Sequence, residues 1–255
     1  MSSRRSFLKV LPAPLIAGAF PTIVKPATLG RAGFVPPSDR VTIATIGTNW
    51  MGMGHVEEFL NIQAAQVVGV CDVDELHLKA GKDKVDKRYG NNDCTAYRAF
   101  EELLSRRDVD AVSIAVPDHW HGIIAVMAAR AGKDVYGEKP IAHTLYEGQA
   151  IRNAIHKNNR IWQTGSWQRS RDNFRQACEL VRNGRVGKIT RIEVGLPGGH
   201  SDFDKTGDRR QVGPPPATLN WDRWLGPAPE AGYCEARVHK VWRWNLDYGG
   251  GQLMD

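Results

Sequence analysis

The sequence has few of the features that mark disulfide scaffolds or cysteine-based metal sites. Its 255 residues include only four cysteines, Cys71, Cys94, Cys178 and Cys234, with no C-x-x-C pair and no metal-ligand spacing among them. An oxidising compartment would permit a disulfide, but no pairing can be read from the sequence. Burial as free thiols is the simpler expectation.

A long apolar run is also missing. The most apolar stretch, residues 10–24, is shorter than the roughly 20 residues that a transmembrane helix needs. Pro12, Pro14 and Pro21 interrupt it, and proline breaks a helix interior. We therefore expect no membrane span.

Positive charge is present but not clustered on one stretch of the folded part. The formal net charge is +6, of which Arg4, Arg5 and Lys9 near the start supply half. The remaining lysines and arginines are scattered and form no basic stripe of the kind that follows phosphates. We therefore expect no nucleic-acid partner.

Residues 1–35 are predicted to be a signal peptide and linker. Arg4 and Arg5 precede the apolar run, which is the pattern of twin-arginine export. Small residues at 17–19 offer a cleavage site, and a later cut near residues 29–30 is an alternative, as is a disordered basic tail. We expect a periplasmic or otherwise exported protein that crosses the membrane already folded.

Between residues 36 and 165, short β-rich runs alternate with helical stretches. Strands are predicted at 41–46, 66–71, 111–116, 133–136 and 161–164, and helices at 52–62, 74–88, 97–105, 117–131 and 144–158. Alternation at this spacing predicts an α/β fold with a parallel, doubly wound sheet of the Rossmann type.

The regular alternation of strands and helices ends near residue 166, and we interpret residues 166–255 as the start of a second domain. A helix is predicted at 174–183 and a strand at 188–196, followed by a long stretch rich in glycine, proline and aspartate. Long loops of this kind are usually functional. Four tryptophans follow, at positions 221, 224, 242 and 244; they are candidates for stacking on sugar rings, although such residues more often anchor a core.

The turn after the first strand resembles a dinucleotide-binding fingerprint. Residues 47–54 read GTNWMGMG, so Gly47 and Gly52 match the first and third glycines of G-x-G-x-x-G, and Asn49 takes the second position. Asparagine tolerates left-handed backbone geometry, so we expect the turn to survive. Asp72 ends the second strand, where the ribose hydroxyls of NAD would be held; a helix-capping role is the alternative. No lysine or arginine directly follows Asp72, which favours NAD over NADP.

Polar residues also follow the next two core strands. Pro117, His119 and His121 come after the strand at 111–116, and Glu138-Lys139-Pro140 after the strand at 133–136. Ligands of open α/β sheets bind at these carboxyl ends. The two histidines are candidate zinc ligands, but no third or fourth ligand lies at suitable spacing, so we expect no metal.

Taken together, these motifs resemble the Gfo/Idh/MocA family of oxidoreductases, over roughly residues 40–255. Glu138-Lys139-Pro140 is the most specific element, and residues 183–188, NGRVGK, resemble the start of the family's second domain. That resemblance implies a second domain of α+β type with an open, mostly antiparallel sheet over the nicotinamide, here incomplete. It also implies a homo-oligomer.

The resemblance assigns roles to individual residues. Lys139 would contact the nicotinamide ribose and lower the pKa of the substrate hydroxyl, and Asp255, after the glycine run 249–251, would be the second catalytic residue. The family's His or Tyr would lie four residues beyond Asp255, so we expect the chain to stop within its active site. Arg169 is a candidate substrate ligand. The expected cofactor contacts are Gly47, Asn49, Trp50, Met51, Gly52, Asp72, Pro117, His119, His121, Glu138 and Gln168.

The resulting functional hypothesis is an oxidoreductase that transfers hydride between a tightly bound NAD and a sugar or polyol. Free NAD is not available outside the cytoplasm, so an exported enzyme would keep its cofactor bound and regenerate it in place. Two alternatives remain open: an NAD-dependent glycosidase that uses transient oxidation and elimination, and a non-catalytic NAD-binding protein.

Overall fold

The structure is a computed structural model that describes residues 35–195 and 207–254. The chain divides into two units at Arg40. Of the first unit the structure describes one short 3-10 turn, Pro37–Asp39. Everything that follows concerns the second unit, from Val41 onward.

Six parallel strands form the central sheet, in the order β3-β2-β1-β4-β5-β6. Their bounds are β1 Val41–Ile46, β2 Ala65–Cys71, β3 Thr95–Tyr97, β4 Ala111–Ile114, β5 Asp134–Glu138 and β6 Trp162–Gly165. The chain order reverses between β1 and β4, and open α/β sheets bind their ligands at this switch point. The α/β fold with a parallel, doubly wound sheet is confirmed.

Seven α-helices accompany the strands in the described part of the chain. They are α1 Trp50–Asn61, α2 Glu75–Tyr89, α3 Phe100–Ser105, α4 Asp118–Arg130, α5 Leu145–Lys157, α6 Asp172–Arg182 and α7 Trp221–Leu225. Local sequence explains several boundaries: Asp74 caps α2 through the N–H of Leu76 (2.9 Å), and Thr144 with Glu147 forms a capping box on α5. Among the described helices, none combines the length and apolar character that crossing a bilayer requires.

Apolar side chains pack on both faces of the sheet because neighbouring strand residues point in opposite directions. On β2, Val70 joins one cluster, with Val56 of α1 and Val85 of α2, while Cys71 joins the other, with Ile114 of β4. All four cysteines are free thiols, and Cys178 alone is exposed. The expected burial as free thiols therefore holds for Cys71, Cys94 and Cys234 but not for Cys178.

A third apolar cluster lies in the segment after residue 215. Trp221, Trp224, Trp242 and Tyr248 are buried there, and the partly buried Val73, which follows β2, packs against them. These three tryptophans are core residues, as the simpler interpretation of them predicted. The cluster joins residues 219–248 to the carboxyl edge of the sheet.

Two predicted elements differ from the structure. The helix predicted at 97–105 begins only at Phe100, because Thr95–Tyr97 pairs with β2 as the edge strand β3. The strand predicted at 188–196 is not formed over its described residues, 188–195, all of which are exposed. A strand needs a hydrogen-bonded neighbour, and the described residues place none beside this stretch.

Candidate active site at the carboxyl edge of the sheet

A cavity of about 400 Å³ lies at the carboxyl ends of β1, β2, β4 and β5. The loops that follow these four strands form one side of it, and residues between Leu219 and Met254 form the other. Of the residues predicted from the sequence, those lining the cavity are Gly47, Asn49, Trp50, Met51, Asp72, Pro117, Glu138 and Lys139. The switch point of the sheet therefore brings together most of the predicted site.

The turn after β1 requires both of its predicted glycines. Gly47 has φ +85°, and a Cβ there would lie 2.3 Å from the carbonyl oxygen of Ala115. A Cβ on Gly52 would lie 1.8 Å from the carbonyl oxygen of Gly47. Gly52 therefore allows α1 to pack against the turn, and it does not line the cavity.

Asn49 does not need the left-handed tolerance that the sequence suggested. Its φ is −80°, in the extended region, and its side-chain oxygen accepts the N–H of Trp50 at 2.8 Å. Asn49 is thus the N-cap of α1. The second glycine of the fingerprint is replaced here by a capping residue with ordinary backbone geometry.

Asp72 is fixed by backbone amides at the end of β2. Its carboxylate accepts the N–H of Thr48 at 2.8 Å and that of Asp74 at 2.9 Å. Burial raises the pKa of Asp72 above its ordinary value, and these two hydrogen bonds oppose that shift. The helix-capping alternative proposed for Asp72 belongs instead to Asp74.

Glu138 is anchored by a buried polar chain that the sequence analysis missed. His55 of α1 places Nε2 2.9 Å from Glu138 Oε1 and Nδ1 2.7 Å from the hydroxyl of Ser113 on β4. The other oxygen of Glu138 accepts the backbone N–H of Lys139 at 3.2 Å. Glu138 therefore orients the strand end that carries Lys139. The position of His55, directly after the glycine turn, was the available signal.

The two histidines after β4 have packing roles in the structure, and neither lines the cavity. His121 bridges two loops, with Nδ1 2.6 Å from the Pro140 carbonyl and Nε2 2.9 Å from the Val116 carbonyl. His119 lies 5.4 Å from the Trp224 ring, and its Nε2 is 3.1 Å from the Trp224 carbonyl oxygen. Burial lowers the pKa of His119 to about 4.

The remaining predicted residues lie elsewhere. Gln168 and Arg169 are exposed on the 3-10 helix Trp167–Ser170, outside the cavity wall. Asp255 lies outside the described residues. The structure therefore does not bring Gln168 and Arg169 to the cavity.

Sequence reasoning also missed several cavity-lining residues. Arg98 follows β3 and pairs with Glu75 at 2.6 Å, and Arg223 of α7 pairs with Glu101 at 2.8 Å. The guanidinium of Arg243 lies 5.9 Å from the ring of Trp50. Contacts between residues far apart in the sequence place all three arginines at the cavity, so no local sequence motif predicts their position there.

The buried His119 predicts a pH dependence of stability. Its Nδ1 has no hydrogen-bond partner among the described residues, so a proton there would be buried without an acceptor. Because the folded-state pKa is depressed, the stabilisation is complete above the ordinary pKa of 6.5 and is lost as the pH falls toward 4. We expect His119 to account for a loss of about 2 kcal/mol in unfolding free energy between pH 7 and pH 5.

Urea denaturation of the wild type and of His119→Phe at both pH values measures this contribution. Phenylalanine keeps an aromatic ring in place, and the Trp224 carbonyl retains the indole N–H of Trp120 at 2.9 Å. The variant should lose clearly less stability on acidification than the wild type. Equal losses in the two proteins would contradict the assignment.

Comparison with sequence families gives two consecutive matches. Residues 41–166 match the Gfo/Idh/MocA model described as "Oxidoreductase family, NAD-binding Rossmann fold", and residues 165–255 match the model described as "Oxidoreductase family, C-terminal alpha/beta domain". The two matched ranges follow one another from the start of β1.

Curated relatives share part of their length with this chain. "Glycosyl hydrolase family 109 protein 2" of Shewanella sp. (strain ANA-3) is 36% identical over 160 residues, which cover 56% of this chain and 35% of the relative. "Glycosyl hydrolase family 109 protein" of Shewanella amazonensis is 32% identical over 158 residues, which cover 56% of this chain and 34% of the relative. The matched region thus spans about a third of these relatives.

Solved structures show the same fold. Myo-inositol 2-dehydrogenase from Lactobacillus plantarum superposes with a TM-score of 0.53 at 29% identity, covering 59% of this chain and 43% of the other. Scyllo-inositol dehydrogenase from Lactobacillus casei, with bound NAD(H) and scyllo-inositol, gives 0.54 at 27% identity over the same shares. Since the two family matches together cover residues 41–255, this chain belongs to the Gfo/Idh/MocA family of oxidoreductases.

Proposed function

We propose that this chain belongs to an enzyme that transfers hydride between a bound NAD and a sugar or polyol. The observation that carries the proposal is the position of Lys139, which lines the same cavity as the glycine turn and Asp72. An ammonium group in that cavity can act on the hydroxyl of a bound substrate. Inositol dehydrogenases among the structural relatives support a polyol as substrate.

The residues of the cavity fit a dinucleotide. Gly47 and Gly52 allow the turn to pack tightly, because a Cβ at either position would clash with backbone. The start of α1 then faces the cavity at Asn49 and Trp50, where a pyrophosphate would bind at the helix N-terminus. Asp72 supplies a carboxylate at the end of β2 for ribose hydroxyls. When bound, the nicotinamide supplies the hydride acceptor or donor.

The chain's own residues then bind and polarise the substrate. The Lys139 ammonium stabilises the alkoxide character that develops on a hydroxyl oxygen as its carbon loses hydride, which lowers the pKa of that hydroxyl. Glu138, held by His55, fixes the strand end that aims Lys139. Trp224 and Trp242 line the opposite wall, and their apolar surface excludes water from the reacting groups.

A glycosidase is the second candidate, because the curated relatives carry the name glycosyl hydrolase family 109. In that case a sugar hydroxyl would be oxidised transiently to a ketone, and the neighbouring carbon would lose a proton as the glycosidic C–O bond breaks by elimination. Water would then add to the resulting double bond and the hydride would return to the ketone, so that the net reaction is hydrolysis with no redox change. The same Lys139 would serve both reactions. The third hypothesis is a non-catalytic NAD-binding protein. That hypothesis does not explain why Lys139 lines the cavity.

Replacing Lys139 tests the proposed role. In the complete natural polypeptide, Lys139→Met should lower the rate of nicotinamide reduction by polyols and sugars about 10²–10⁴-fold, because the charge that stabilises the alkoxide is removed. Lys157→Met, at the exposed end of α5, is the matched control and should keep full activity. Stopped-flow absorbance of the nicotinamide measures the rate, with NAD affinity checked separately.

The outcomes separate the candidates. Net nicotinamide reduction with a polyol that is lost in Lys139→Met supports the dehydrogenase. Release of a monosaccharide from a glycoside without net reduction supports the glycosidase. An unchanged rate of nicotinamide reduction in Lys139→Met, or no nucleotide binding by the wild type, would contradict the redox proposal.

Cofactor choice is predicted to depend on Asp72. A carboxylate there accepts ribose hydroxyls and repels a 2′-phosphate, so the wild type should bind NAD more tightly than NADP. Asp72→Asn removes the charge but keeps an oxygen for the amides of Thr48 and Asp74; we expect NAD affinity to fall about 10–100-fold and the preference over NADP to shrink. Fluorescence titration with both nucleotides checks this, and equal preference in the two proteins would contradict it.

We also propose that the protein is exported through the twin-arginine route, on the strength of Arg4, Arg5 and the apolar run behind them. Replacing both arginines with lysine should block export of the folded protein, because the arginine pair is the recognition signal. Fractionation of cells, with the amino terminus of the exported form identified by mass spectrometry, measures this. Unchanged export of the double-lysine variant would reject the route.

A further inference from the structure

Two histidines and an aspartate converge close to Asp72, and one of the histidines comes from a distant part of the chain. Asp74 precedes α2, His77 lies in its first turn, and His239 starts the 3-10 helix His239–Trp244. The potential ligand atoms of the three side chains all lie within 4.8 Å of one another. The two imidazole rings are 5.1 Å apart at 81°, and His77 Nδ1 is 3.9 Å from Asp74 Oδ2.

We infer that Asp74, His77 and His239 form a binding site for a divalent transition-metal ion of the zinc type. Two imidazoles and one carboxylate are a ligand set that zinc accepts, with a fourth position left for water or another ligand. Tetrahedral ligands at the usual bond lengths stand about 3.3 Å apart, so modest side-chain rotations close the present spacing. All three residues line the cavity, so the fourth position faces it.

The surroundings favour a cation at this position. One oxygen of Asp74 accepts the N–H of Leu76 at 2.9 Å, which orients the carboxylate and leaves its other oxygen toward His77. The Asp72 carboxylate lies two residues away and adds negative charge. The nearby Arg98 is paired with Glu75 and does not cancel that charge at the cluster.

The site would join two segments that are far apart in the sequence. Asp74 and His77 belong to the β2–α2 region, whereas His239 belongs to the segment that forms the far wall of the cavity. An ion shared between them fixes that wall at the Asp72 end. The expectation of no metal rested on ligand spacing along the sequence, which detects only ligands that are close in the chain. The site shares its cavity with the proposed cofactor site, but zinc binding can be measured whether or not the proposed reaction is correct.

Zinc and cobalt titrations of the 255-residue chain test the inference, after chelator treatment and without a histidine tag. The wild type should bind one zinc ion per chain in calorimetry, and Co²⁺ should give the visible spectrum of a site with nitrogen and oxygen ligands. Loss of a residue that only supports a metal ligand weakens metal binding about 10–100-fold. His77→Ala and His239→Ala each remove a ligand itself, so each should weaken zinc binding by more than that. His156→Ala, on the exposed side of α5, is the matched control and should bind like the wild type.

A thermal-unfolding series provides the second readout. Zinc should raise the melting temperature of the wild type and of His156→Ala, but not that of the two ligand variants. His77 is partly exposed on a helix, so His77→Ala should fold even if His239→Ala does not. Absence of zinc binding by the wild type, or equal zinc affinity in His77→Ala and the control, would overturn the site.

Discussion

The candidate site depends first on the close approach of the turn after β1 to the end of β4. Gly47 donates its N–H to the Cys71 carbonyl at 2.8 Å, and the N–H of Ala115 reaches the Ile46 carbonyl at 2.9 Å. The missing side chain of Gly47 is what permits this spacing, since a Cβ would lie 2.3 Å from the Ala115 oxygen. Widening the turn would move the start of α1 and separate the two halves of the sheet at the switch point, where the cavity lies.

Buried polar contacts then fix what the turn brings together. His55, Ser113 and Glu138 come from α1, β4 and β5, and one chain of hydrogen bonds links them. Such a network is costly to break because the partner left behind is buried without compensation, whereas its net contribution when intact is small. Its value is therefore positional: it determines where the strand end beside Lys139 lies relative to the glycine turn.

The sequence predicted those parts of the molecule that are set by neighbouring residues. The apolar runs of β1, β2 and β4 and the glycines at 47 and 52 follow from local rules of burial and backbone geometry. The edge strand β3 was missed because its three residues are not buried on either face and gain strand geometry only by pairing with β2. His119 was expected at the cofactor, but tilted ring contacts with Trp224 and Tyr248 hold it in a core. Those partners follow it by more than a hundred residues.

The far wall of the cavity shows why such long-range features escape a sequence reading. This wall, formed by residues between Leu219 and Met254, is attached to the sheet side by backbone hydrogen bonds. Glu75 donates its N–H to the carbonyl of Thr218 at 2.9 Å, and His119 donates its N–H to the carbonyl of Tyr248 at 3.2 Å. Backbone contacts place no demand on side-chain identity, so they leave no motif. The apolar cluster around Trp224 adds the burial that holds the wall in place. A wall attached in this way can keep a constant position over the cavity while the side chains that face the cavity vary, so that one fold can carry different sites.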